Sequence, residues 1–225
     1  MLNIYKLLNK TELDTVESIV KEGKESVVLA GLTKEGRWVA VKVYRTLACD
    51  YKSMWKYLVL DPRLKGLKKS RWAVVALWAR KEFKNLGIAS SYGVSCPKPV
   101  AFQENVLVMG FIGKDGLPAP RLVDVEDIDW EKAYKKVVKN LEGLAKAGLV
   151  HGDLSGYNIL FYKKPWLIDF SQSLPLRVPY ARELLKRDIA NINKFFSAKG
   201  VATLEEEKIY NKLVQIFEKR GRRIG

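Results

Sequence analysis

The stretch LVHGDLSGYNIL, residues 149–160, is followed closely by KPWLIDFSQS, residues 164–173. Both segments are rich in apolar residues, yet they enclose a polar cluster. Its members are His151, Asp153, Ser155, Asn158 and Asp169. Placing such groups between core-forming residues is costly unless each one finds a partner. The cluster therefore indicates a functional site.

The spacing of three of these residues predicts phosphoryl-transfer chemistry. Asn158 follows Asp153 by five residues, and Asp169 follows Asp153 by sixteen. This matches the protein-kinase pattern H-R-D-L-x-x-x-N followed by D-F-G, with Gly152 replacing Arg and Ser171 replacing the final Gly. The reaction needs oxygen ligands for cations and a carboxylate near the attacking hydroxyl. Asn158 and Asp169 can supply the ligands, and Asp153 the carboxylate.

Two charged residues upstream fit the same pattern. VAVK, residues 39–42, lies in an alternating run that predicts a strand, and a lysine midway along such a strand needs water or a charged partner. In the V-A-I-K signature of kinases this ammonium pairs with nucleotide phosphates and a helix glutamate. The helix predicted over 71–86 carries Glu82 beside its apolar stripe. A solvated surface role is the default for a single Glu, but the ordered set favours pairing with Lys42.

The other elements change from strands to helices along the chain. Helical spacing of Leu13, Val16, Ile19 and Val20 predicts a helix over 11–21, and 45–70 is expected to be a long irregular connection. Strands are predicted at 26–30, 37–44 and 106–113, with a turn at 33–36 between the first two. Helices are predicted over 130–145, ending at Gly148, and twice in the C-terminal tail. His151 is expected to bond to nearby backbone instead of serving as the catalytic base.

We therefore predict an α+β, two-lobed protein-kinase-like fold. Residues 1–109 would form an antiparallel-sheet N-lobe with one long helix, and residues 110–225 the hinge and a small helical C-lobe. The 225 residues are 48% hydrophobic, which is enough for a core without disulfides. Cys49 and Cys96 match no metal-ligand spacing and suit a reducing compartment. With no signal-peptide block or membrane span in the sequence, the expected location is cytoplasmic.

Charge distribution suggests an acidic partner. The net charge is +15, and residues 42–84 hold twelve basic and three acidic residues. A basic patch of this kind favours nucleic acid or another acidic partner, although lysine-rich surfaces also serve solubility alone.

Several sequence blocks resemble the RIO family of atypical kinases, in its type-one branch. The resemblance runs in order from about residue 18 to about residue 198. Its most specific blocks are FIGKDGLPAP at 111–120, HGDLSGYN at 151–158 and IDFSQS at 168–173. The resemblance implies binding of ATP with Mg²⁺, or Mn²⁺ as an alternative ion, serine autophosphorylation in the 45–70 loop, and ATPase activity. It also implies a role in maturation of the small ribosomal subunit, which the basic patch at 42–84 would contact.

The same resemblance assigns roles to individual residues. Asp153 would be the catalytic base, and Asp169 a metal ligand together with Asn158 and also a phosphoryl acceptor. Lys42 would contact the phosphates, with Glu82 as its partner. The remaining nucleotide contacts would come from Ser26, from the Met109 side chain beside the adenine, and from the backbones of Gly110 and Ile112.

Three departures from the kinase pattern keep other functions open. The phosphate-covering loop has only Gly23 in EGKESVVLA, no A-P-E follows Asp169, and no N-terminal winged helix is recognised. The small kinase of the tRNA-modifying KEOPS assembly also carries HGDL and IDF, but FIGKDGLPAP and SQS disfavour it. Aminoglycoside-type phosphotransferases share HGDL but have additional helices. A catalytically idle RNA-binding module is the alternative from another class, and retention of Lys42, Asp153, Asn158 and Asp169 disfavours it.

Overall fold

The computed structural model describes residues 13–64, 66 and 69–221. The chain forms two compact units, each made of two segments. The first comprises the described parts of Met1–Gly87 together with Pro97–Ala119, and the second Ile88–Cys96 together with the described part of Pro120–Gly225. Strands dominate the first unit and helices the second, as the sequence predicts. The lobe boundary predicted between residues 109 and 110 stays a prediction.

A five-stranded antiparallel sheet forms the first unit. Its strands lie in the order β1-β2-β3-β5-β4, and every neighbouring pair is antiparallel. The strands are β1 Leu13–Glu22, β2 Ser26–Thr33, β3 Trp38–Tyr44, β4 Pro99–Gln103 and β5 Val106–Gly110. Alternation along β3 buries Val39 and Val41 in one apolar cluster. Lys42 has the opposite parity, so it points to the other face of the sheet.

The helix predicted over 11–21 is wrong, because residues 13–22 form strand β1. Thr11 lies outside the described residues. Pairing with β2 fixes the extended backbone, and three register irregularities interrupt the two-residue alternation that would have revealed a strand. Of the residues that suggested a helix, Leu13 is buried, whereas Ile19 is 65% exposed. The helical spacing did not mark a buried face.

The irregular connection expected over 45–70 contains a helix, α1, at Tyr51–Leu60. Asp50 caps it by accepting the Ser53 backbone N–H at 3.1 Å. Met54 and Leu58 are four residues apart and fully buried, so α1 has an apolar face. Interleaved lysines hid this short periodicity in the sequence.

Helix α2 spans Arg71–Ser91 and extends five residues past the predicted end at Leu86. Its apolar face joins α1 in one buried cluster. The cluster members are Tyr44, Cys49, Met54, Leu58, Val74, Val75, Trp78 and Ala79.

A tight hairpin follows β5. Strands β6 Gly113–Lys114 and β7 Leu117–Pro118 pair through Asp115 and Gly116, which have φ of 50° and 77°. Two successive residues with positive φ are typical of a type I′ turn, which favours Asp-Gly. A Cβ on Gly116 would lie 2.6 Å from the Trp38 ring, so only glycine fits there. The DG of the FIGKDGLPAP block is thus a backbone requirement.

The described part of the second unit combines helices α3 Trp130–Ala147, α4 Pro179–Ala198 and α5 Glu206–Gly221 with two short antiparallel strand pairs. Gly148, at φ 72°, ends α3 and confirms the predicted stop. Strands β9 Ile159–Tyr162 and β10 Lys164–Leu167 form a hairpin, and β8 Leu149–Val150 pairs antiparallel with β11 Leu174–Pro175 across the segment that contains this hairpin. Short 3-10 turns occupy Leu122–Asp124 and Gly156–Asn158.

Cys49 and Cys96 are buried free thiols. Among the described residues, no helix has both the length and the apolar character that crossing a membrane would require.

Candidate active site

In the first unit, Lys42 and Glu82 form a buried ion pair. The Lys42 Nζ atom lies 3.1 Å from Oε1 and 3.0 Å from Oε2 of Glu82. Lys42 is 5% exposed and Glu82 is fully buried. The Tyr44 hydroxyl also donates to Glu82 Oε2, and Lys42 Nζ lies 5.0 Å from the centre of the Tyr44 ring. The predicted pairing is therefore present, with Tyr44 as a third member that sequence reasoning missed.

Tyr44 left a signal in the sequence. It follows Lys42 by two residues on the same strand, so the two side chains share one face of the sheet. A strand face that carries a lysine together with a tyrosine hydroxyl offers two donors to one carboxylate.

In the second unit, backbone and side-chain hydrogen bonds hold the HGD turn. The ring of His151 is buried, with Nε2 3.0 Å from the Ile168 carbonyl oxygen, and Nδ1 accepts the Asp153 N–H at 3.3 Å. These contacts bear out the structural role expected for His151. The Asn158 Nδ2 donates to the Asp153 backbone oxygen at 2.7 Å and to its carboxylate at 3.0 Å. The Asn158 side-chain oxygen consequently points away from Asp153.

Asp169 lies beside this turn in a strained backbone conformation. Its φ of 65° is uncommon for a residue other than glycine and is frequent at functional sites. The Ser171 hydroxyl donates to Asp169 Oδ1 at 2.7 Å. Burial raises the pKa of the Asp153 carboxyl, and the charge of Asp169 raises it further, whereas the hydrogen bond from Asn158 lowers it. The structure thus brings Asp153, Asn158 and Asp169 together.

The two quoted stretches are tied to each other by further hydrogen bonds. The Ile168 N–H donates to the backbone carbonyl oxygen of Asn158 at 3.0 Å, and the Ser173 hydroxyl donates to the backbone carbonyl oxygen of His151 at 2.9 Å. The Phe170 ring lies 4.8 Å from the His151 ring, centre to centre. Both serines of the SQS block therefore have structural roles, Ser173 on the HGD turn and Ser171 on Asp169.

Two residues of α4 that sequence reasoning missed hold the same turn. The buried Asp188 carboxylate accepts the N–H groups of Gly152 at 2.8 Å and Leu154 at 2.9 Å. Arg187 donates to the Gly152 oxygen at 2.5 Å and its charge lowers the pKa of Asp153. The signal was available in LLKRDIANI, where an aspartate lies on the apolar stripe of a helix. A charge in that position predicts a buried partner.

The predicted adenine contacts lie at the end of β5. Met109 and Gly110 are half-buried there, and Ile112 follows in the loop before β6. The Gly110 N–H donates to the Lys98 oxygen at 2.8 Å, and the Ile112 oxygen accepts the Ala119 N–H at 2.9 Å. The Gly110 N–H and the Ile112 oxygen therefore already have protein partners, which leaves the Gly110 oxygen and the Ile112 N–H as the predicted contacts with a base.

Ser26 lies at the turn that replaces the glycine-rich loop. The Gly23 N–H donates to the Ser26 oxygen at 2.9 Å, which closes the β1–β2 hairpin. Because this bond uses the Gly23 amide, phosphate contacts at this turn have to come from other donors, among them the Ser26 hydroxyl.

A magnesium ion fits the donor set of the second unit. Among the described residues there is no cluster of three or more His, Cys, Asp or Glu side chains suited to a metal. Mg²⁺ is usually bound by one or two protein oxygens together with phosphates and water. The Asp169 carboxylate and the Asn158 amide oxygen supply protein ligands of that kind.

Comparison with known proteins supports a single family. The family model for the RIO domain matches residues 27–209. The chain is 45% identical to the RIO-type serine/threonine-protein kinase Rio1 of Methanocaldococcus jannaschii, over 89% of this chain and 69% of that protein. It is 39% identical to the protein of the same name from Haloferax volcanii, over 92% of this chain and 71% of that protein.

A solved structure shares the fold. The Rio2 kinase of Chaetomium thermophilum, in an ADP/Mg²⁺-phosphoaspartate complex, superposes with a TM-score of 0.70 at 21% identity. The match covers 98% of this chain and 70% of that protein. The predicted α+β kinase-like fold is confirmed.

Asp188 gives a stability prediction that depends on pH. Burial raises its pKa to about 7, although the two backbone hydrogen bonds favour the carboxylate. Between about pH 4, near the unfolded value, and pH 7 the folded chain binds a proton that the unfolded chain does not. Relative to Asp188→Asn, the wild type should therefore lose stability as pH rises through this window, by at most about 1.4 kcal/mol per pH unit.

Urea unfolding of both proteins at pH 5, 6 and 7 measures this difference. The comparison cancels the pH dependence of the other groups, because the amide introduced by Asp188→Asn does not titrate while the rest of the chain is unchanged. Parallel stability curves for the two proteins would show that Asp188 stays ionised in the folded state.

Proposed function

Because the chain belongs to the RIO family of serine/threonine-protein kinases, we propose that it is an atypical kinase and ATPase that uses Mg-ATP. The single observation that carries this proposal is the grouping of Asp153, Asn158 and Asp169 around one hydrogen-bonded turn. The match over residues 27–209 favours this function over the KEOPS kinase alternative.

We propose that Lys42 contacts the phosphates of ATP and that Glu82 holds its ammonium in place. Lys42 is 5% exposed and is held by Glu82, so its ammonium has little contact with bulk water. A cation fixed in this way is ready for a polyanion without reorganisation. Ser26 would add a hydroxyl contact, and the Met109 side chain with the Gly110 oxygen and the Ile112 N–H would contact the adenine.

For the second unit, we propose Asp153 as the catalytic base and Asp169 with Asn158 as the metal ligands. The bound Mg²⁺ would neutralise charge on the phosphates. The raised pKa of Asp153 makes its carboxylate a better proton acceptor for a substrate hydroxyl. The Rio2 kinase structure contains a phosphoaspartate, and we propose Asp169 as the corresponding phosphoryl acceptor.

The acidic partner is proposed to be the small ribosomal subunit or its RNA. Autophosphorylation on Ser53 or Ser70 is part of the same proposal. Of the basic residues over 42–84, Lys42 and Lys81 are buried and contribute nothing to a docking face. The exposed basic residues of this segment that the structure describes supply its positive surface, and they are Lys52, Lys56, Lys69, Arg71, Arg80 and Lys84.

Two substitutions test the catalytic assignment. Asp153→Asn should lower phosphoryl transfer by about 10²–10⁴-fold while nucleotide binding is retained, because only the proton acceptor is lost. Asp169→Ala should lose metal-dependent nucleotide binding as well, because a ligand is removed. Transfer from labelled ATP and equilibrium binding of Mg-ATP measure the two effects separately.

Asp127→Asn is the matched control for this test. Asp127 is exposed and has φ of 51°, which asparagine adopts readily, so its activity should equal that of the wild type. Equal phosphoryl transfer by the wild type and Asp153→Asn would reject Asp153 as the base.

The pH profile tests the electrostatic role of Arg187. Its positive charge lowers the pKa of Asp153, so Arg187→Ala should raise that pKa. A base is active when deprotonated, so the acidic limb of the kcat profile should move to higher pH in Arg187→Ala. Arg187→Lys keeps the charge and should leave the limb near its wild-type position. If the acidic limb of the kcat profile of Arg187→Ala stayed at its wild-type pH, Arg187 would have no effect on the pKa of Asp153.

Salt dependence tests the proposed RNA contact. Because phosphate contacts release counterions, raising the salt fourfold should weaken binding to ribosomal RNA by more than about tenfold. The double variant Lys52→Gln/Lys56→Gln should bind more weakly and with a smaller salt slope. Lys135→Gln/Lys139→Gln on α3 removes the same charge elsewhere and should bind like the wild type. Equal losses in both double variants would mean that the contact depends on total charge only.

A further inference from the structure

A second group of buried charges lies next to the Lys42–Glu82 pair in the first unit. Asp61, at the end of α1, has a fully buried side chain. Its Oδ1 accepts the backbone N–H and the Nε–H of Arg63, at 3.1 and 2.8 Å, and Oδ2 lies 2.5 Å from a terminal nitrogen of the same guanidinium. That nitrogen also donates to Asn85 Oδ1 at 2.9 Å. We call Asp61, Arg63 and Asn85 the clasp.

The clasp joins the segment after α1 to the helix that carries Glu82. Asn85 is buried in α2 and lies three residues after Glu82, close to it on the helix surface. Because the guanidinium fork is rigid and bidentate on Asp61, its remaining hydrogen bond fixes the position of Asn85. The clasp therefore limits rotation and translation of α2 at the turn of the helix that presents Glu82.

Lys81 connects the clasp electrostatically with the ion pair. It is 1% exposed, and burial lowers its pKa to about 7. The charges of Asp61 and Glu82 favour its cation, and the charge of Arg63 opposes it. Lys81 Nζ also lies 5.2 Å from the centre of the Trp78 ring. One lysine thus experiences the carboxylates of both groups, so a shift of either carboxylate changes the electrostatic potential at Lys81.

Apolar packing links the same elements. Tyr44, which donates to Glu82, belongs to the buried cluster that contains Met54 and Leu58 of α1 and Trp78 of α2. Displacing α1 would therefore disturb Tyr44 as well as the clasp. Buried ion pairs add little net stability compared with apolar packing, and their best-supported use is to fix the register of one element on another.

We propose that Asp61 and Arg63 are positioning residues for Glu82: the clasp holds α2 so that Glu82 stays paired with Lys42, and its loss weakens Mg-ATP binding. This inference rests on the proposed role of Lys42 as a phosphate contact. It makes the segment of α1, expected from sequence to be an irregular loop, part of the nucleotide-binding machinery.

The dissociation constant for Mg-ATP is the first measurement. Arg63→Ala should weaken Mg-ATP binding roughly tenfold, because it acts on the site through α2 and not directly. Asp61→Asn keeps the side-chain size and should weaken binding in the same direction, which preserves the test if Arg63→Ala folds poorly. Arg37→Ala is the matched control, since its pair with Glu35 lies in the same unit but both side chains are more than half exposed. Its affinity should not change.

A double-mutant cycle separates positioning from general destabilisation. If the clasp acts through Glu82, Arg63→Ala should add almost nothing to the loss of Mg-ATP binding already caused by Glu82→Gln. The same fold-loss in the wild-type and Glu82→Gln backgrounds would overturn the proposal.

Hydrogen exchange of the free protein gives a measurement that does not depend on nucleotide. Amides of residues 80–86 should exchange faster in Arg63→Ala than in the wild type or Arg37→Ala. Faster exchange with unchanged Mg-ATP affinity would overturn the positioning role while leaving the proposed function intact. Failure of the wild type to bind Mg-ATP would instead reject the proposed function. If, in addition, residues 80–86 exchanged at the same rate in Arg63→Ala and in the wild type, the structural role of the clasp would be overturned as well.

Discussion

The cost of burying charge governs how this protein is built. Lys42 lies in the middle strand of a five-stranded sheet at 5% exposure, where an unpaired ammonium would lose its proton or disrupt the strand. Glu82 provides the compensating charge, but it comes from a helix forty residues further along the chain. The sheet can keep its lysine only while α2 stays in place. The placement of α2 therefore depends on this charge pair as well as on its apolar face.

The second unit meets the same cost with backbone groups instead of an opposite charge. Asp188 has two backbone N–H donors, and the buried His151 ring bonds backbone on both sides. Burial raises the pKa of Asp188 to about 7, and the two neutral donors, which stabilise a carboxylate less than a paired cation does, offset this only in part. The two units thus differ in character. In the first unit the buried Lys42–Glu82 pair brings two opposite charges together. In the second unit the HGD turn is held by Asp188, whose pKa is about 7.

Sequence reasoning succeeded where a pattern combined a local period with an expected partner. The alternation around Lys42 predicted a strand, and the lysine within it called for water or a charged partner. The V-A-I-K signature then predicted the contact with Glu82 that the structure contains. The stop of α3 at Gly148 followed from the ordinary chemistry of helix ends. The spacing of Asp153, Asn158 and Asp169 could be predicted as a set, because one turn and one hairpin bring them together.

The failures have one physical cause, which is that tertiary pairing overrode a local period. In β1, bulges break the two-residue alternation, so the apolar residues fell by chance on a helical spacing. In α1, lysines on the exposed face outweighed two buried residues, Met54 and Leu58. Asp188 differs from these two, because its place on the apolar stripe of a helix does predict a buried partner. The identity of that partner could not be predicted, since the donors are backbone N–H groups more than thirty residues away.

The departures from the kinase pattern follow from backbone geometry. Gly152 stands where Arg is usual, and its φ of 83° and a Cβ position 3.2 Å from the Gln172 oxygen make glycine the residue that fits. Ser171 stands where Gly is usual, but the residue with left-handed φ in this segment is Asp169. Strain at a non-glycine residue persists only when neighbours enforce it. The Ser171 hydroxyl on Asp169 and the buried Phe170 against His151 do so here, so the serine maintains the geometry of Asp169 by a side-chain bond.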